Sequence, residues 1–175
     1  MLEQSVIIGN IDRKMPFEVL YDTYFDRVNR YLRYRVSSVW DADDLTATVF
    51  TRALEKYHLF RGDAPAVWLF RIAHNIFVDY IRTRNKYVMA GGEAESMAAP
   101  DCQPEEEFLR LEELERLQHM LELMSPVQRD VVSLRYVGEL RFGQIARVLE
   151  KTESAVRMIH YRSLKILRAK LGEER

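Results

Sequence analysis

Three carboxylates crowd the stretch Asp41-Ala42-Asp43-Asp44, and acids at such spacing are what acid–base chemistry or a divalent cation needs. Their place at the head of an apolar-periodic run gives them a plainer role. Asp41 can cap a helix, and Asp43 and Asp44 favour the positive end of its dipole. His58, His74, His119 and His160 show no metal-ligand spacing, and the lone Cys102 stands in a different kind of segment. No phosphate-cradling glycine loop, nucleophile elbow or dinucleotide fingerprint occurs. The residue types argue against an enzyme and imply neither cofactor nor metal.

What the residues do offer is recognition of a polyanion. On a helical wheel, Ser154 to Leu171 collects Ala155, Val156, Ile159, Ser163, Ile166 and Leu167 on one side. The other side carries Ser154, Arg157, Met158, Tyr161, Arg162, Lys165 and Arg168 without an acid among them. A merely solvated helix face usually interleaves Glu with Lys or Arg. Upstream, Ala146 precedes Val156 by ten positions and Ile159 by thirteen, the spacing of a helix-turn-helix. That geometry lays the second helix in a major groove, where Arg157 and Lys165 can reach phosphates or guanine O6 and N7. Two local weaknesses accompany it. Glu150 holds the turn position that favours Gly, where a left-handed backbone costs roughly 1 kcal/mol. Gly143 interrupts the short first helix.

A second stripe consists of Trp68, Arg71, Asn75, Asp79, Arg82 and Lys86, opposite Leu69, Phe70, Ala73, Ile76, Phe77, Tyr80 and Ile81. An indole on a basic stripe suits unstacked bases, because each base offers a flat face and each phosphate a charge. Packing of Trp68 on a neighbouring helix, with the charges merely solvated, explains the same pattern.

The elements that must position these residues are all helical, since no stretch shows the strict alternation of a strand. Helices are expected over Pro16 to Val36, from after Trp40 to about Tyr57, and from Pro65 to about Arg84. After Tyr87 the composition shifts to VMAGGEAESMAAPDCQPEEE, a linker signature of small and acidic residues. Fully stretched, about 19 residues reach on the order of 60 Å. Beyond it, helices are expected from about Glu107 to Met124, from Pro126 behind the cap Ser125 to the stop at Gly138, over Phe142 to Leu149, and from Glu153 behind Thr152. The expected architecture is all-α, two small helical domains over 1–87 and 107–175 joined by a flexible acidic linker at 88–106.

The 175 residues are 47% hydrophobic and 30% charged, and the net charge of −1 alone argues against a nucleic-acid binder. Read by segment, the charge separates. Five basic residues face two acids from Arg61 to Tyr87, and nine face three from Val131 to Leu171. From Val88 to Asp130 eleven acids face three arginines. The near-zero total is thus a sum of two basic patches and an acidic middle. Val6-Ile7-Ile8 is too brief for a signal peptide core, and no apolar run approaches the roughly 18 residues of a membrane span. With one cysteine, the expected location is the cytoplasm, without membrane insertion.

Taken together, the two patterned halves resemble the extracytoplasmic-function (group IV) sigma factors of the sigma-70 family. DADDLTATVFTRALEKYHLFRGDAPAVWLFRIAHNIFVDYIRTRNK is similar to the family's regions 2.2 to 2.4, and SPVQRDVVSLRYVGELRFGQIARVLEKTESAVRMIHYRSLKILRAKL to region 4. The resemblance covers about residues 15–87 and 107–171. It implies a factor that acts with core RNA polymerase, reading the −35 element by its helix-turn-helix and the melted −10 element by region 2. Asp43, Asp44, Leu45, Val49, Phe50 and Arg52 match the family's docking surface for the β′ clamp helices, and region 4 implies the β flap as a further contact. Phe60 and Arg61, with Asn75, match positions that hold a flipped base of the −10 element, with Trp68, Arg71 and Arg82 lining the separated strands. Ser154, Arg157, Met158, Tyr161, Arg162 and Lys165 match the helix that enters the groove at the −35 element. The family's habit further implies an anti-sigma partner. Ile159 stands where many relatives carry a basic residue, and Arg141 where a Ser or Thr cap is frequent. Two other readings stand beside this one: a helix-turn-helix regulator that binds duplex DNA without polymerase, and a helical protein–protein adaptor.

Overall fold

The computed structural model describes residues 15–36, 38–90, 119 and 123–173. Among these residues the chain forms six helices and no strand: α1 Phe17–Arg33, α2 Val39–Glu55, α3 Pro65–Met89, α4 Pro126–Tyr136, α5 Phe142–Val148 and α6 Glu153–Glu173, with a 3-10 turn at Tyr57–Leu59. None of these helices is long and apolar enough to cross a membrane. Cys102, nearly all of the expected helix from Glu107 to Met124 and most of the expected linker lie outside the described residues.

Leu20, Tyr24, Val28, Tyr31 and Leu32 recur at helical spacing and turn inward from α1, which packs with α2 and α3. The edge of the Tyr31 ring meets Phe70 of α3 at 5.7 Å between centroids. α2 starts slightly earlier than the carboxylates suggest. Ser38, in extended backbone, accepts the Asp41 N–H at 3.2 Å and is the true cap. Asp41 instead accepts a hydrogen bond from the Tyr80 hydroxyl at 2.6 Å, tying α2 to α3. Burial, then that carboxylate, raises the Tyr80 phenol above its ordinary value.

In the C-terminal half, Ser125 caps α4 through the Gln128 N–H at 3.4 Å, and the Gln128 side chain accepts the Ser125 N–H at 3.0 Å. α4 does stop before Gly138, but the left-handed residue is the next one, Glu139, with φ of 55°. Gly138 is needed for space: a Cβ there would lie 2.8 Å from the Leu134 carbonyl oxygen and 3.1 Å from the Phe70 ring. Ahead of α5, Gln144 accepts the Arg141 N–H at 2.9 Å, while the Arg141 side chain has no acceptor to complete the reciprocal bond. Glu150 has φ of 54°, as the turn between α5 and α6 demands, and Thr152 accepts the Ala155 N–H at 3.2 Å as the cap of α6.

The two halves share one buried core. Val131, Leu134, Leu140, Ile145, Ala146, Val148 and Val156 belong to the same apolar cluster as Leu69, Phe70 and Ala73 of α3. At its edge Arg35 pairs with Asp130 of α4 at 2.5 Å, with little of either side chain exposed. The Arg35 guanidinium lies 4.4 Å from the Phe77 ring centroid. Arg27 of α1 donates to the Gly138 carbonyl, and Arg27 and Arg30 each approach Glu139 at 3.6 Å.

Candidate nucleic-acid interface

α6 is held to the body by Val156, Ser163 and the partly buried Ile159, whose spacing aims one side at α4 and α5. Ser163 is wholly buried and spends its hydroxyl on the Ile159 carbonyl at 2.8 Å, so no polar atom is stranded. The opposite side stands clear: Ser154, Arg157, Met158, Tyr161, Arg162 and Lys165 are all exposed. Among them, Arg157 donates through Nε and Nη2 to Glu153 at 3.0 and 2.6 Å. His160, at the flank of this face, meets the Tyr136 hydroxyl at 3.0 Å. Burial, then Arg135, lowers its pKa below the ordinary histidine value.

On α3 the two stripes separate as their spacing requires. Leu69, Phe70, Ala73, Ile76 and Phe77 are buried, whereas Arg71, Asn75, Asp79, Arg82 and Lys86 are exposed. Two of the basic residues are engaged. Arg82 pairs with Asp79 at 2.9 Å, and Arg71 donates to the Arg147 carbonyl in the last turn of α5. The aromatic members form a stack. The 3-10 turn delivers Phe60 onto Trp68, 4.8 Å between centroids and 26° between planes. Phe60 is thereby buried and Trp68 half-covered, so in this arrangement the Phe60 ring is covered by protein, while Arg61 is exposed.

α2 divides in the same way. Asp43, Asp44 and Arg52 face outward and Leu45 is partly covered, but Val49 and Phe50 sit in the core. Phe50 packs on Tyr21 and Phe25 of α1. Asp43 accepts from Asn29 at 2.8 Å, which orients its carboxylate. Along the exposed side of α2, Asp44, Ala47, Thr48, Thr51, Arg52 and Glu55 lie together. Ala47, Thr48 and Thr51 lack the charge or bulk that draws notice in a sequence, and only the helical spacing from Asp44, shared by Glu55, points to them.

A further grouping was not legible in the chain. Arg135, Arg141, Phe142, Gly143, Gln144, Arg147, Glu153 and Arg157 surround an open pocket of about 660 Å³. These residues come from α4, the turn after it, α5 and α6, so no single helical wheel displays them.

Comparison with known proteins bears on the family and the fold. The family model for sigma-70 region 2 matches residues 20–87, and that for sigma-70 region 4 matches residues 114–167. The ECF RNA polymerase sigma factor BldN of Streptomyces coelicolor is 32% identical over 161 residues, 90% of this chain, which spans 61% of that relative's length. The ferric citrate uptake sigma factor FecI of Escherichia coli is 30% identical, over 82% of this chain and 83% of its own. Among solved structures, the sigma factor RpoE of Bartonella quintana, in complex with the anti-sigma factor NepR, superposes with a TM-score of 0.73. At 21% identity, covering 91% of this chain and 98% of that one, this likeness shows the fold.

Proposed function

The chain belongs to the extracytoplasmic-function sigma-70 family of transcription initiation factors, and on that premise we propose how its parts serve promoter-specific initiation with RNA polymerase. Residues 1–87 form region 2 and residues 107–175 region 4, with 88–106 as the acidic connection between them. α2 offers its outward side, with Asp43, Asp44, Leu45 and Arg52, to the β′ clamp helices of core polymerase, while Val49 and Phe50 fix that helix from beneath. Region 4 meets the β flap. The exposed face of α6 enters the major groove at the −35 element through Ser154, Arg157, Met158, Tyr161, Arg162 and Lys165. Asn75, Arg61, Trp68 and the basic side of α3 receive the separated strands of the −10 element, which requires Arg71 to leave the Arg147 carbonyl. Phe60 must likewise unstack from Trp68 before either ring can face a base. The protein acts in the cytoplasm, where polymerase is, and a partner of the anti-sigma class holds it off.

The observation that carries this reading is the exposed basic face of α6 from Ser154 to Lys165, on a helix-turn-helix whose neighbouring half presents a second basic stripe. A solitary duplex reader has no use for the second. The test is transcription by purified core polymerase with and without this protein, followed by mapping of transcript 5′ ends. The expected result is a new set of starts at promoters with a shared upstream pair of elements. Failure to bind core, or starts unchanged by the protein, overturns it. Tight binding to duplex DNA without core identifies a stand-alone regulator instead.

A further inference from the structure

Among the described residues, Glu153 is the one acid lining a pocket that contains four arginines, Arg135, Arg141, Arg147 and Arg157. On a surface that receives a polyanion, a carboxylate opposes every phosphate that approaches. Its geometry gives it a compensating use. Oε1 accepts from both Nε and Nη2 of Arg157, four residues on, in the helix-favoured order of acid before base. A surface pair of this kind is weak by itself. Here two further features act on the same guanidinium. It lies 4.7 Å from the centroid of Phe142, a ring flanked by Arg135 at 4.8 Å and edge-on to His160 at 5.0 Å. A Cβ at position 143 would sit 3.0 Å from Glu153 Oε2, so this carboxylate packs closely over the glycine in the first turn of α5.

We infer that Glu153 is a positioning residue for Arg157: with Phe142 it holds the guanidinium in one orientation, so that α6 discriminates a base pair of the −35 element at some expense of affinity for DNA in general. The hydrogen bonds to Glu153 use Nε–H and one Nη2–H, leaving three N–H donors at the far end. Two of these suffice for the fork that guanine O6 and N7 accept. An unrestrained arginine must be ordered when DNA binds, and a restrained one has less freedom left to lose.

The inference rests on the assignment of Arg157 to −35 readout, and the test separates the two. Holoenzyme is assayed on a promoter fragment identified by 5′-end mapping, and on fragments with each −35 base pair replaced in turn. Arg157→Ala is expected to abolish preference at one base pair, and Glu153→Ala to weaken the same preference on the order of fivefold, part of what a bidentate contact supplies. Binding to the poorer fragments should hold or rise as the negative charge is removed. Glu153→Gln, which keeps an acceptor for Nε–H, should restore most of the preference. In the Arg157→Ala background, Glu153→Ala should change nothing at that base pair. If Glu153→Ala scales binding to all fragments by one factor, or acts equally without Arg157, Glu153 is only a surface charge and the inference falls. If Arg157→Ala leaves every preference intact, the assignment of Arg157 fails first and takes the inference with it.

Discussion

His74 shows how one side chain acquires a property its sequence neighbours do not predict. It sits on α3, yet its Nδ1 lies 4.0 Å from Asp130 of α4 and 3.4 Å from the Tyr31 hydroxyl of α1. Burial, the largest cause, lowers its pKa below the ordinary 6.5, and Arg35 adds to the effect while Asp130 opposes it. A base with a depressed folded pKa contributes stability that is present above its unfolded value and lost as pH falls through the folded one. Below about pH 6.5 the unfolded chain binds a proton that the folded chain refuses. The stability difference between the native protein and His74→Gln should therefore shrink steadily as pH is lowered from 7 through this range, by urea denaturation. A pH-independent difference would show that His74 titrates alike in both states. At this scale the sequence was uneven as a guide. The outward face of α6 was readable residue by residue, because its polar and apolar positions differ in type. Val49, Phe50 and Phe60 were not, since an apolar side chain suits a partner surface and a core equally well, and here all three are buried.

At the scale of elements, caps and turns carried most of the legible information. Ser125-Pro126 and Thr152 begin helices as their chemistry requires. α3 runs to Met89, past the expected end near Arg84, because nothing between Arg84 and Met89 breaks a helix. The turn of the helix-turn-helix is the costly one. Glu150 adopts φ of 54° without the freedom of a glycine. Glu150→Gly should raise stability by about 0.5–1 kcal/mol, the left-handed cost less the entropy a glycine adds to the unfolded chain. The shift in urea midpoint at constant slope measures it. No gain would mean that Glu150 makes a compensating contact in the turn.

At the scale of the whole molecule, the two halves are packed on each other although a long acidic segment separates them in sequence. Of the contacts between them, Arg35 with Asp130 should matter most, because Arg35 is 5% and Asp130 14% exposed at the side chain. Asp130→Ala would leave a buried guanidinium beside Phe77 without its carboxylate, at a cost of about 3 kcal/mol. Arg30→Ala, whose pairing with Glu139 is more than half exposed, should cost under about 0.5 kcal/mol. Urea denaturation ranks the two variants, and small-angle scattering should find the Asp130→Ala chain more extended. Equal costs would mean that the halves separate readily in solution and the pair is solvated.

By itself the sequence determined the helical class, the order of the described helices, the basic face of α6 from Ser154 onward and the family, because each is written in local periodicity, capping chemistry and short motifs. Only the tertiary structure decided which apolar residues of α2 face inward, that Phe60 is stacked against Trp68, and that α3 lies against α5 with Arg71 on the Arg147 carbonyl. It also decided that Gly143, a weakness by helix propensity, lies close under the carboxylate that holds Arg157. The reason is physical. Periodicity records which face of a helix avoids water, but what covers that face depends on residues far away in the chain, and no local pattern encodes them.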